Sequence, residues 1–236
     1  MQNAVAAARS SPWQLVAWTV AAALVLATWD LLGQDLALAR WFGDSSGFAY
    51  RDHWLFSGVL HRGARRVAWT LQLALLIAIW WPAGPLRVLP RRERVHLLVG
   101  TLVTILVIWL LKTRSLTSCP WELVEFGGPA AYVSHWSWGV LDGGEGQCFP
   151  AGHASAAFAF LTGYFWLRER APRAARGWLA VVVLAGTTIG LAQQVRGAHY
   201  MSHTLWTGWF SWVIAASTFW LLEHTPVRRW FGSSAR

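Results

Sequence analysis

Charge is scarce in this chain. Asp, Glu, Lys and Arg make up 13% of its 236 residues, 55% are hydrophobic, and nineteen are Trp. So apolar a composition excludes an ordinary soluble domain and points to a polytopic membrane protein. Lysine is nearly missing, with Lys112 as the single copy, and cysteine is limited to Cys119 and Cys148. One pair permits one bridge, and on an oxidising face of the membrane a disulfide is favoured over two buried thiols. A small-residue cleavage site beside the first apolar run is also lacking, so that run is read as a membrane helix and not as a removed signal peptide. No internal repeat, low-complexity tract or second domain stands out. Residues 1–236 are therefore read as one membrane-embedded domain.

What is present is a series of apolar runs close to bilayer length. They predict an all-α protein with six transmembrane helices, at 14–33, 67–86, 95–111, 154–167, 178–195 and 204–222, the fourth being short. Arg9, Arg87, Arg91, Arg92, Arg94, Arg168, Arg170, Arg173, Arg176, Arg228, Arg229 and Arg236 then fall on one side, and Arg40, Arg51, Arg62, Arg65, Arg66, Lys112, Arg114 and Arg196 on the other. The first set is larger and packed into short loops, which makes both termini cytoplasmic by the positive-inside rule. The net charge of +9 thus reads as topology and contact with anionic headgroups, not as nucleic-acid binding. Two longer pieces, 34–66 and 112–152, lie on the outer side, the first patterned for interfacial amphipathic helices. Trp13, Trp29, Trp69, Trp80, Trp81, Trp166, Trp178, Trp206 and Trp220 fall near span ends and read as a belt. Asp30 reads as a helix-pairing or interfacial carboxylate, and His53, His61 and His135 as solvated outer histidines.

Three outer segments carry the chemistry. Lys112 ends the third span, and the run Lys112-Thr113-Arg114-Ser115-Leu116-Thr117-Ser118 sets two cations among four hydroxyls, groups that hold phosphate oxygens. A lone lysine there also suits simple snorkelling. In Cys148-Phe149-Pro150-Ala151-Gly152-His153-Ala154-Ser155, a loop with an imidazole leads into an apolar helix expected from about Ala154, a junction suited to an anion. The third segment, Gln193 to His203, would place Arg196, His199 and His203 on one face if helical. A His pair four apart is also a metal spacing, yet no carboxylate or cysteine partner lies in the segment.

Taken in order, these segments resemble the signature of the type 2 phosphatidic-acid phosphatase superfamily: Lys-x6-Arg-Pro, Pro-Ser-Gly-His and Ser-Arg-x5-His-x3-Asp. The resemblance spans about 95–222, and the Cys-Pro-Trp, Cys-Phe-Pro-x-Gly-His and Arg-Gly-Ala-His-x-x-Ser-His forms suggest a bacterial branch. Lys112 and Pro120 match the first motif, Pro150, Gly152 and His153 the second, and His199 the third. The resemblance implies that His199 attacks phosphorus and forms a phosphohistidine, that His153 protonates the leaving group, and that neither a metal nor another cofactor is needed.

Four positions depart from the pattern. Cys119 replaces an arginine, Ala151 a serine, Gln193 an arginine and His203 the aspartate that orients the nucleophile. Arg114 and Arg196 are candidate replacements for the missing cations, and His203 can accept a hydrogen bond from His199 when neutral. Asp52, Glu122, Glu125 or Asp142 are candidates for the missing negative charge, and Ser155 or Thr113 for the missing hydroxyl. The resulting expectation is a phosphatase of the bacterial inner membrane, with its site at the periplasmic face and lipid phosphates or diphosphates as substrates. Its catalytic residues would be His199, His153 and His203, and its substrate-binding residues Lys112, Arg114, Gly152 and Arg196. A phosphotransferase using the same site, and a silent lipid-binding relative favoured by the four departures, are the rival readings.

Overall fold

The computed structural model describes residues 12–224, which are mostly helical. Arg9, Arg228, Arg229 and Arg236, on which the expected sidedness of the termini partly rests, lie outside the described residues. Helix α1, Pro12–Leu31, is apolar around its whole circumference and none of its apolar window is buried within the protein. A helix of that kind needs lipid as its solvent. It stops where Gly33 turns left-handed, and a short α2, Gln34–Ala39, follows. A two-residue hairpin comes next, β1 Gly43–Asp44 against β2 Gly47–Phe48, with Gly43 opposite Phe48.

A π-helical stretch, Trp54–Gly63, runs directly into α3, Ala64–Ala78. The long helix α4, Arg91–Arg114, opens behind Pro90 with Glu93 in its first turn and closes with Lys112 and Arg114 in its last, each charge complementing the helix dipole. Three short pieces then make one apolar rod: α5 Ser155–Phe158, a 3-10 turn Ala159–Leu161 and α6 Thr162–Leu167. Helix α7, Pro172–Val195, starts with proline in its first turn, where the missing N–H costs nothing. Helix α8, Met201–His224, completes the bundle and touches α1, α4, α5, α6 and α7.

Among the described residues, four helices are long and apolar enough to cross a membrane: Trp13–Leu31, Arg91–Arg114, Pro172–Val195 and Met201–His224. Two of the six expected spans take another form. The second begins well before residue 67, in the π-helical stretch, and ends at Ala78 ahead of a turn that reaches Pro82, which cannot continue a helix. The fourth is broken and wrapped by protein, with Phe158, Phe160, Leu161, Phe165, Trp166 and Leu167 all buried. Its length is set by its helical neighbours and not by a bilayer. In the 34–66 piece, the hairpin separates α2 from the π-helical stretch, so it is not a run of amphipathic helices.

The expected Trp belt is also only partial. Trp166 and Trp206 are buried, and Trp178 Nε1 donates to the Phe160 carbonyl at 2.7 Å. Other tryptophans fasten the lipid-facing α1 to the bundle: Trp209 Nε1 donates to the Thr19 carbonyl at 2.9 Å and Trp212 Nε1 to Thr19 Oγ1 at 3.0 Å. Asp30 does pair helices, since its Oδ2 accepts Trp206 Nε1 from α8 and Trp136 Nε1 from the outer loop, both at 2.8 Å.

Candidate active site

The loop between α4 and α5 is a lid folded by hydrogen bonds among its own residues. Asp142 accepts Ser118 N and Ser118 Oγ, each at 2.6 Å, and Gly144 N at 3.1 Å. Glu122 accepts Cys119 N at 2.7 Å and Glu145 N at 3.1 Å. Cys119 and Cys148 are joined in a disulfide, so the end of the first motif is tied covalently to the start of the second. Backbone ties flank the bridge: Cys148 N donates to Thr117 O at 2.9 Å, and Trp121 N, two residues beyond Cys119, to Gly197 O at 2.9 Å.

This folding brings Lys112 onto Gly152. A Cβ on Gly152 would stand 3.1 Å from Lys112 Cδ, a tight approach that would push the lysine stem away by a few tenths of an ångström. Lys112 Nζ donates to the Gln147 carbonyl. His153 follows Gly152, and its ring centroid lies 5.8 Å from that of His199. His199 is not on a helix with Arg196, contrary to the helical expectation for 193–203. Helix α7 ends at Val195, Gly197 is left-handed with φ 71°, and α8 starts only at Met201. Ala198 N and His199 N both turn back to the Gln193 carbonyl, at 2.9 and 3.4 Å. The turn delivers His199 fully into the protein, where it is 2% exposed.

Burial is the main influence on both imidazoles. It pushes His153 down to about 3, with His61, Lys112, Arg196 and Arg65 adding repulsion of a further positive charge. Burial also drives His199 well below its ordinary value, aided by His153 and Lys112 and opposed by a hydrogen bond to the Cys148 backbone. A neutral imidazole at position 199 has the lone pair that a nucleophile needs. The neutral His153 is only a weak acid, and an anion beside it would offset the cations and raise its proton affinity.

The other expected site residues are placed less centrally. Arg196 is buried, with Nε donating to the Arg51 carbonyl at 2.7 Å and Nη1 to Gln193 Oε1 at 3.1 Å. It lies close enough to disfavour charge on His153. Arg114 is exposed and borders a cavity of about 180 Å³ with Leu111, Trp136, Phe149 and Phe210, whose lining includes neither His153 nor His199. His203 is fully buried, 5.9 Å from His199 between ring centroids. Among the described residues no hydrogen bond joins the two, so the expected acceptor geometry is not formed. Ser155 Oγ donates to Gly152 O at 2.7 Å and Thr113 Oγ1 to Leu110 O at 3.0 Å, which engages both candidate hydroxyls.

The candidate carboxylates are placed elsewhere too. Glu122 and Asp142 hold the lid, Glu125 binds Arg40 at 2.5 Å, and Asp52 lies near Arg196. Two carboxylates of the first third are placed closer to the third motif. Asp35 Oδ1 accepts Ser202 N at 3.1 Å and Trp29 Nε1 at 2.9 Å, and its Oδ2 accepts Ser202 Oγ. Asp30 Oδ2 lies 3.3 Å from His135 Nε2, and His135 packs edge-on to His203 at 5.1 Å.

Asp30, Asp35 and His135 offer metal-ligand atoms within 4.8 Å of one another. Trp and Ser donors engage every carboxylate oxygen there except Asp30 Oδ1. A second grouping, Cys119, Cys148 and His199, has both sulfurs in the disulfide. His61, read from sequence as solvated, lies 4.0 Å from His153 between ring centroids. Nothing local in the sequence marked it, because the ring it meets lies far along the chain.

Comparison with known proteins agrees on the region. The model of the PAP2 superfamily matches residues 94–225. No curated protein and no solved structure matches the chain.

Proposed function

Since the chain belongs to the PAP2 superfamily, a family of phosphatases and phosphotransferases acting on phosphate esters, and is a membrane protein, we propose that it hydrolyses lipid phosphate or diphosphate esters through a phosphohistidine. The observation that carries this reading is the convergence of three separate segments. Lys112 packs on Gly152, and His153 and His199 stand 5.8 Å apart between ring centroids.

In the proposed reaction the neutral His199 attacks phosphorus while the bond to the leaving oxygen breaks. His153, charged once the phosphate is in place, gives that oxygen its proton. Water then attacks the phosphohistidine, His153 takes up a proton, and the P–N bond breaks. Such chemistry needs little covalent work from the protein and much compensation of negative charge, which Lys112 and Arg196 would supply in this reading.

The second-span rod and the α5–α6 rod would complete a six-helix bundle around the four long helices. The site would then open at the periplasmic face of a bacterial inner membrane, with both termini cytoplasmic. A headgroup at that level reaches Lys112 while its tails stay in lipid. The apolar cavity beside Arg114, lined by Leu111, Trp136 and Phe149, suits the first part of a tail better than a phosphate.

The test is release of inorganic phosphate from a panel of lipid phosphates by the purified protein, with EDTA present, together with acid trapping of a labelled phosphoenzyme. An acid-labile, base-stable adduct and metal-independent turnover are expected. Transfer of phosphate to a lipid hydroxyl in place of water would identify a phosphotransferase. Binding without release would favour the silent relative.

A further inference from the structure

Asp30 at the outer end of α1 and Asp35 in α2 come from the part of the chain outside the family match, and His135 comes from the lid. One ligand atom from each lies within 4.8 Å of the other two. Asp35 is 4% exposed, and the side chains of Asp30 and His135 are 9% and 5% exposed. Among the described residues neither carboxylate has a lysine or arginine within ion-pair distance, so two enclosed carboxylates meet only one imidazole. Buried charge of that kind is paired or holds a metal ion.

The hydrogen bonds around these side chains leave a particular remainder. Asp30 Oδ2 accepts Trp136 Nε1 and Trp206 Nε1, both at 2.8 Å, and Asp35 Oδ1 accepts Ser202 N at 3.1 Å and Trp29 Nε1 at 2.9 Å. Two donors fill the lone pairs of one oxygen, so each carboxylate is held through one oxygen and keeps capacity on the other. Asp30 Oδ1 is buried with no partner, and Asp35 Oδ2 accepts only Ser202 Oγ. His135 Nε2 is buried without a hydrogen bond, although Asp30 Oδ2 stands 3.3 Å away. Carboxylates steadied by outer donors, with an imidazole nitrogen turned toward them, are what a ligand set requires.

From this remainder we infer that Asp30, Asp35 and His135 bind a divalent transition-metal ion of the Zn²⁺ class as a structural centre. Two carboxylates and such an ion cancel in charge, and mixed oxygen and imidazole donors suit Zn²⁺ better than Mg²⁺ or Ca²⁺. A fourth position falls to water or to His203, which is fully buried, has both ring nitrogens without partners and packs edge-on to His135 at 5.1 Å. The ion would join the end of α1, α2 and the lid to α8, whose Ser202 and Trp206 already bind the two carboxylates. It would staple the lid down and take no part in the proposed phosphoryl transfer.

The experiment measures metal in the full chain, purified in detergent without chelator and with a tag that binds no metal. About one Zn²⁺ per chain is expected. Exhaustive dialysis against chelator should lower the thermal transition, Zn²⁺ should restore it, and Co²⁺ in its place should give the visible absorption of a site with nitrogen and oxygen donors. His135→Gln, which removes a ligand, should lose that absorption. Trp206→Phe removes only a donor to Asp30 and should weaken Zn²⁺ binding about 10- to 100-fold. Dialysis is prolonged because a buried ion leaves slowly, so brief EDTA in a turnover assay does not test this site.

A metal-free wild type whose stability and spectrum ignore added Zn²⁺ and Co²⁺ would overturn the inference. So would nitrogen NMR showing protons on both ring nitrogens of His135 in the purified protein, which makes the cluster a plain ion pair of Asp30 with an imidazolium. Co²⁺ absorption retained in His135→Gln would overturn the ligand set. Should that variant fail to fold, the metal content, Co²⁺ spectrum and NMR of the wild type decide. None of these readouts is turnover, so failure of the phosphatase reading leaves them standing.

Discussion

The first third of the chain and the motif-bearing remainder build the site in different ways. Residues 94–225 supply Lys112, His153 and His199, each recognisable from a short pattern. Residues 12–93 carry no such pattern, yet they pack against the second and third of the later segments in space. Asp35 accepts from Ser202, the Arg51 carbonyl from Arg196, and His61 meets His153. The proposed reacting groups are thus local in sequence, while the groups that pack against them are assembled only by folding.

The sharpest way to break that division is His199→Ala. If the attacking group resides only in the motif region, phosphate release should fall on the order of 10⁴-fold or more, with the thermal transition unchanged. Retained turnover would move the nucleophile elsewhere.

Reduction of the Cys119–Cys148 bridge should come next in size. A cross-link closing a loop of about 30 residues contributes roughly 3–4 kcal/mol in the chain-entropy model, and here it also aligns the first and second motifs. Thermal unfolding and activity should both decline on reduction, and a stable, fully active reduced protein would show that the lid's hydrogen bonds suffice.

Asp35→Asn tests the first third directly. It should cost about 1–3 kcal/mol by weakening acceptance of the buried Ser202 donors, with a loss of kcat because Ser202 precedes His203 and follows the nucleophile turn. A variant as stable and active as the parent would reduce the first third to a membrane anchor.

Arg196→Gln and Gln193→Ala form a double-mutant cycle across the 3.1 Å contact between the two side chains. Sequence alone suggests that only the arginine matters. The buried contact predicts that both single changes lower kcat/KM and that the pair is non-additive by about 1 kcal/mol or more. Strict additivity would separate the two residues. The smallest effect is expected for Arg114→Gln, whose exposed side chain faces an apolar cavity; a large loss of kcat on a small soluble phosphate would place it at the phosphate after all.

Much of this was legible in the sequence, for reasons that differ by element. Helices α1, α4, α7 and α8 were visible because lipid demands long apolar runs. The α5–α6 rod was visible only in part, since protein surrounds it and the bilayer does not set its length. The bridge between Cys119 and Cys148 was legible from an even count on one face. The break before His199 was not, because periodicity ignored what Gly197 does to the chain. His61, His135 and Asp35 were beyond reach for the same physical reason: their partners lie far away in sequence, and lone polar residues advertise nothing locally.

Gly197 has one more consequence. A side chain there would run into the ring of Phe48 at the hairpin, besides requiring a left-handed backbone. Space freed at 48 would remove the clash but not the left-handed backbone, so position 197 is held to glycine on two separate counts. The hairpin acts as a template that fixes which turns a descendant protein can explore on the way to its nucleophile.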